Sequence, residues 1–188
     1  GDRVYRLPEV LVSLGREGEK PNMVTGAVTG TVCTNPPVVY ISVRPERYSH
    51  AILKETKTFV INLTTEKLLK ATEYCGVRSG RDVDKFKETG LTAVPGPVTG
   101  CPMVEESPVN LECRVKEIKA LGSHDLFLAE VVAVHVSEDY MEGNGRFRLN
   151  RTGLVAYSHG EYFSLGKSLG PFGYSVRKPA KKKAKRRR

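Results

Sequence analysis

The chain has no apolar run that approaches the roughly 20 residues of a membrane-spanning helix. Its first residues also lack a signal-peptide pattern. Both absences point to a soluble, cytoplasmic protein. Cysteine is sparse, and Cys33, Cys75, Cys101 and Cys113 are scattered with no Cys-x-x-Cys pair. That spacing argues against a zinc site or a redox dithiol and favours free thiols, mostly buried as small apolar groups. Neither paired carboxylates nor a Ser-His-Asp arrangement is visible in the pattern, so acid–base hydrolysis has no evident machinery.

Net charge, formally +9, is missing from most of the chain as well. Nine of the 30 basic residues fall between Arg177 and Arg188 with no acid among them. The other 21 bases face the chain's 21 acids in residues 1–176. The expected division is therefore a neutral domain over residues 1–176, long enough for a substantial core, and a basic tail over 177–188. A polycation of this kind binds nucleic acid or an anionic membrane non-specifically, or is simply solvated. Gly1 stands where a starting methionine is expected, which points to processing, and the first eight residues read as a short arm.

Val10–Leu14 reads as the first strand, followed by a polar turn and a second extended segment, Met23 to Gly30, rich in Val, Thr and Ala. Asn35-Pro36-Pro37 makes a turn, and Val38–Val43 is a short β-branched strand. Beyond it come a short helix at 51–55, a strand at 59–63 and a helix from Glu66 to Cys75 capped by Thr64 or Thr65. A helical turn at 85–88 then stops at Gly90. The Pro- and Gly-rich stretch 94–108 reads as a crossing loop without an element. Val109, Leu111, Cys113 and Val115 alternate with Asn110, Glu112, Arg114 and Lys116, predicting a strand with one wet face. Its antiparallel partner is the apolar run 126–136, in which Glu130 faces solvent. One more strand is expected within 150–157, and glycine-spaced aromatics from Gly160 to Tyr174 suit an arm that wraps a surface.

The chemistry concentrates where Val38–Val43 runs into Arg44-Pro45-Glu46-Arg47-Tyr48-Ser49. Two guanidiniums and two hydroxyls at a strand's end, just before a helix start, suit a phosphate. The alternative is a solvated arginine loop. Thr25, Thr29, Thr31 and Thr34 stand beside Gly26, Ala27 and Gly30, small residues that let a flat ligand approach the backbone.

Residues 22–49, with Asn22-Met23, Gly30-Thr31-Val32-Cys33-Thr34-Asn35-Pro36-Pro37 and Tyr40 to Ser49, resemble the flavin reductase and flavoredoxin family. Ser79-Gly80-Arg81-Asp82-Val83-Asp84-Lys85-Phe86 and Gly122-Ser123-His124-Asp125-Leu126-Phe127 resemble two later elements of that family, in the same order. The resemblance implies a mainly β, antiparallel, six- or seven-stranded FMN-binding split barrel with short helices. It also implies a homodimer with flavin at the interface. On this reading Arg47, Ser49 and Lys85 would hold the FMN phosphate, with Arg44 and Ser79 among the cofactor-binding residues and the Ser79 loop near that phosphate, and Thr29, Gly30, Thr31, Val32 and Cys33 would lie beside the isoalloxazine. His124 would approach the nicotinamide or flavin edge, whereas His50 and His159 show no partner in the sequence pattern and His135 alternates within a strand, so these three read as structural or solvated. NADH or NADPH would be the hydride donor and the electron acceptor is open. The alternatives are an FMN-binding electron carrier without nicotinamide turnover and a nucleic-acid-binding module using the tail.

Overall fold

The computed structural model describes residues 9–26 and 28–176, and the basic tail lies outside them. Seven antiparallel strands form one curled sheet in the order β2-β1-β5-β8-β9-β4-β3. These are β1 (Val10–Leu14), β2 (Asn22–Gly26), β3 (Thr29–Thr34), β4 (Pro37–Val43), β5 (Thr58–Leu63), β8 (Val109–Ala120) and β9 (Asp125–Val136). Helices α1 (Tyr48–Thr56), α2 (Leu69–Val77) and α3 (Lys85–Thr89) and two small ribbons complete it. The mainly β split barrel expected from the sequence is the fold observed.

All five residues of β1 are buried, because a strand's side chains alternate and here both faces are covered. Val10, Val12 and Leu14 join Ile41, Phe59, Cys113 and Phe127 in the barrel interior. Leu11 points the other way, onto Met23, Cys75 and Phe86 under α2 and α3. Burying such aliphatic side chains stabilises the fold by about 1.5–3 kcal/mol each before chain entropy is counted.

The expected continuous strand from Met23 to Gly30 is two strands. β2 pairs with β1 at one edge of the sheet and β3 pairs with β4 at the other. Val28 joins the second pair early, its carbonyl accepting from the Ser42 N–H at 3.0 Å. No proline or polar cluster marks this break, since it comes from the sheet curling until the chain passes between edges.

The stretch 94–108 is also not bare loop: β6 (Ala93–Pro95) and β7 (Pro102–Val104) pair into a ribbon. Both prolines stand at one end of that pairing, Pro95 opposite Pro102, where a missing donor interrupts little. The ribbon's connecting loop folds onto β8 and changes the meaning of its polar face. Glu112, expected in water, is fully buried. Its carboxylate accepts from Thr99 N (2.7 Å), Thr99 Oγ1 (2.6 Å) and Val98 N (3.2 Å), and pairs with His135 Nε2 (2.7 Å). Burial pushes the Glu112 pKa up, but these hydrogen bonds outweigh it and hold the carboxyl below its ordinary value. Glycine is required at position 96, where a Cβ would stand 2.4 Å from Glu112 Oε2.

Smaller differences follow the same logic. Neither Thr64 nor Thr65 caps the second helix through its side chain. A 3-10 turn (Glu66–Leu68) precedes α2, and Thr64 Oγ1 bonds Thr72 Oγ1 instead. Glu130 pairs with Lys116 at 2.6 Å. Cys75, Cys101 and Cys113 are buried free thiols, and desolvation raises them to about 11, 12 and 12, which suits packing rather than reactivity.

The last hairpin is β10 (Val155–Ser158) with β11 (Glu161–Ser164). Beyond it Leu165, Leu169, Phe172, Tyr174 and Val176 are exposed, Phe172 completely, so this arm does not pack over its own barrel.

Candidate functional site

β4 delivers the chain to α1 through Arg44–Arg47, and the loop beyond α2 returns beside it. Between them lies a cavity of about 420 Å³ that gathers Arg44, Arg47, Ser49, Ser79 and Lys85, together with Arg78 and Gly80. Residues far apart in sequence converge here because α2 and α3 pack on β2, bringing residues 78–85 against the start of α1.

The electrostatics favour an anion. Four cations, Arg44, Arg47, Arg78 and Lys85, line the cavity against one carboxylate, Glu46. Glu46 is engaged with Arg44 at 3.4 Å on the exposed rim. One arm of Arg47 donates to the Gly76 carbonyl at 3.2 Å, which fixes the guanidinium to the end of α2. The N-terminus of α1 has neither a side-chain cap nor an acidic residue in its first turn. The His50 N–H already donates to the Arg47 carbonyl at 2.9 Å, which leaves the N–H groups of Tyr48 and Ser49 for a ligand.

Lys85 is 3% exposed, contrary to a solvated surface role. Its ammonium donates to the carbonyls of Met23 (2.6 Å) and Cys75 (2.7 Å), which leaves the third of its three protons for the cavity. Desolvation pulls its pKa from 10.5 down to about 8, with Arg47 adding repulsion and Cys75 opposing.

A narrower cleft of about 130 Å³ adjoins the cavity and shares Val24, Arg44 and Arg47 with it. Its walls are mixed: Val24, Val28, Ile41 and Val43 supply apolar surface, Thr25, Ser42 and the two arginines supply polar surface, and His124 stands at it. Ser123 Oγ lies 2.9 Å from His124 Nδ1, orienting the ring. Asp125, the next residue, bonds His50 Nε2 at 2.7 Å, and His50 packs edge-on against Phe127. His50 and His135 therefore both have carboxylate partners that the sequence did not reveal.

Thr29, Gly30, Thr31, Val32 and Cys33 are placed elsewhere, on the edge strand β3, and line neither the cavity nor the cleft. Thr29 Oγ1 donates to the Tyr40 carbonyl, and Gly30 lies under the Tyr40 ring, 2.9 Å from where its Cβ would be. The small residues at the cleft are Thr25 and Gly26, four positions earlier. The threonine-glycine pattern signalled both sets and could not separate them.

The molecule's larger cavity, about 600 Å³ between the β1–β2 turn and the β6–β7 ribbon, is a poorer anion site. Its basic residue, Arg16, is already paired with Glu19 and Glu55. Among the described residues no helix is long and apolar enough to cross a membrane, and no cluster of His, Cys, Asp or Glu would hold a metal ion.

A family model described as flavin reductase like domain matches residues 4–166. The chain belongs to that family. As a flavin reductase-like protein it is 30% identical to an uncharacterized protein of Archaeoglobus fulgidus, over 88% of this chain and 91% of that one. It is 27% identical to the NADH-dependent FAD reductase of Streptomyces globisporus, over 70% and 73% respectively. Flavoredoxin of Desulfovibrio vulgaris (Miyazaki F) shares the fold with a TM-score of 0.86 at 26% identity, covering 94% of this chain and 96% of that one. The donor set fits what a flavin nucleotide needs: cations and the first N–H groups of α1 for a phosphate, then a slot with both apolar and hydrogen-bonding walls for a ring that has both kinds of edge.

Proposed function

We propose that the protein binds FMN and works as an NAD(P)H-dependent flavin reductase. The observation that carries this reading is that a four-cation cavity at the start of α1 shares Val24, Arg44 and Arg47 with a cleft part-lined by valines and Ile41 and edged by His124. Arg47, Lys85, Ser49 and the α1 N–H groups would hold the phosphate, with Arg44, Arg78 and Ser79 closing around it. Val24, Ile41 and Val43 would line the ring's slot and exclude water, and His124 would meet its edge. Bound there, the flavin supplies the redox chemistry, taking hydride from a reduced nicotinamide and passing electrons on, and the chain supplies orientation. The Streptomyces relative, named as NADH-dependent, favours NADH as donor.

The exposed apolar arm from Leu165 to Val176 supports a homodimer in which a second copy covers it near the flavin. Likeness to a flavoredoxin favours one second reading, an electron carrier that holds FMN without nicotinamide turnover. Mixing purified protein with FMN and then with NADH or NADPH tests both. Bleaching of the visible flavin band supports the reductase. A band that bleaches with dithionite alone selects the carrier, and a flavin spectrum unchanged by the protein removes both.

Lys85 makes the reading sensitive to pH. A phosphate favours the charged ammonium, so binding draws in a proton wherever the free protein's Lys85 is neutral, above about pH 8. FMN affinity should therefore fall as pH rises from about 8 to about 10, by roughly tenfold per pH unit at most. In Lys85→Met the affinity should be weaker at pH 7 and flat over that range. Fluorescence titration of FMN at stepped pH measures it, and an equal slope in both proteins would exclude Lys85 from the phosphate.

A further inference from the structure

One buried side chain behind the wall of this cavity, in contact with its lining residue Ser49, has hydrogen-bonding capacity that the fold does not use. Asn22, the first residue of β2, is 3% exposed, and its Nδ2 donates to Ser49 Oγ at 2.9 Å. Its Oδ1 is buried with no partner among the described residues. That oxygen faces the backbone of Gly80, where a Cβ would stand only 2.1 Å from it, so any side chain at position 80 would displace the amide. An unpaired buried carbonyl costs stability, and such a group calls for an explanation.

The explanation lies in the direction of one proton. A hydroxyl can accept and donate, whereas a phosphate dianion only accepts. Ser49 donates to the anion only when its own hydrogen points into the cavity, and a donor already seated on its lone pairs favours that orientation. Asn22 Nδ2 is such a donor. With the carboxamide reversed, the amide oxygen would take the Ser49 proton and turn an oxygen lone pair toward the anion.

We infer that Asn22 is a positioning residue for phosphate recognition, held by the close approach of Gly80 and aiming the Ser49 O–H at the flavin's phosphate. The inference rests on the proposal that the cavity takes that phosphate. It predicts that Asn22 discriminates FMN from riboflavin, the same ring without the phosphate, and that it acts only through Ser49.

Dissociation constants for FMN and riboflavin, read by fluorescence quenching, test this in wild type, Asn22→Ala, Ser49→Ala and the double variant. The FMN preference should fall about tenfold in either single variant, one charge-assisted hydrogen bond being at stake. Riboflavin binding should stay within about twofold of wild type, which also reports an intact fold, and the double variant should match Ser49→Ala. Asn22→Asp, which keeps the shape but cannot donate, should lower the preference at least as far. An unchanged preference in Asn22→Ala, equal weakening of both flavins, or additive losses in the double variant would overturn the role. If wild-type protein binds the two flavins equally, the phosphate reading fails first and this role with it. If it prefers FMN and Asn22→Ala does too, only the role fails.

Discussion

Arg47→Glu is expected to weaken FMN binding by about a hundredfold or more while leaving riboflavin binding within a few-fold of wild type. Arg47 is the one guanidinium bordering both the cavity and the cleft that is also tethered, through the Gly76 carbonyl, rather than spent on an acid. Arg44 borders both as well, but shares its charge with Glu46. Charge-assisted hydrogen bonds to an anion are worth about 1.5–3 kcal/mol. Reversal also sets a carboxylate against the phosphate, so a total near or above 3 kcal/mol follows. Arg47 is an exposed side chain, so fold stability should change little. Paired titrations of the two flavins measure the effect, and comparable FMN affinity in the variant would remove Arg47 from the site.

The second large effect is on stability. Glu112→Ala should lower the unfolding free energy by about 2–4 kcal/mol, because the N–H groups of Val98 and Thr99 lose their acceptor. The 96–101 loop would then lose its anchor on the sheet. The sign of the pH dependence follows from a carboxyl held below its ordinary value. Its contribution is present above the reference value of 4.5 and disappears as pH falls through the lower native value. The gap between wild type and variant, measured by urea unfolding at stepped pH, should therefore close in acid. A gap that is small at pH 7 or widens in acid would contradict the assignment.

Much of this was readable before any coordinates. Arg44, Arg47 and Ser49 fall within one short stretch at a strand-to-helix junction, and local chemistry alone made them a candidate anion loop. Resemblance drew Ser79 and Lys85 toward the same site, and in the structure these five residues share one cavity. Residues 29–33 stand apart from those five, on the edge strand β3 and outside the cavity and the cleft, and the sequence could not show this because Thr, Gly and Val recur from Thr25 to Val32 with no punctuation. Either half of that run could have faced the cleft, and the half that does is Thr25 to Val28, excluding Ala27 from what is described. Glu112 was unreadable for a related reason. An acid standing between apolar residues, Leu111 and Cys113, looks wet unless one knows that the loop between Pro95 and Pro102 folds over it.

The periodicity of apolar residues and the turn residues thus determined by themselves which segments extend, which coil and where basic groups cluster, since these depend on side-chain stereochemistry within a few residues. Tertiary structure alone decided that β2 and β3 part to opposite edges, that Glu112 and Lys85 lose their water, and that Asn22 stands behind Ser49. Those outcomes depend on contacts between residues tens of positions apart, and burial and hydrogen-bond direction are properties of the neighbours a residue acquires.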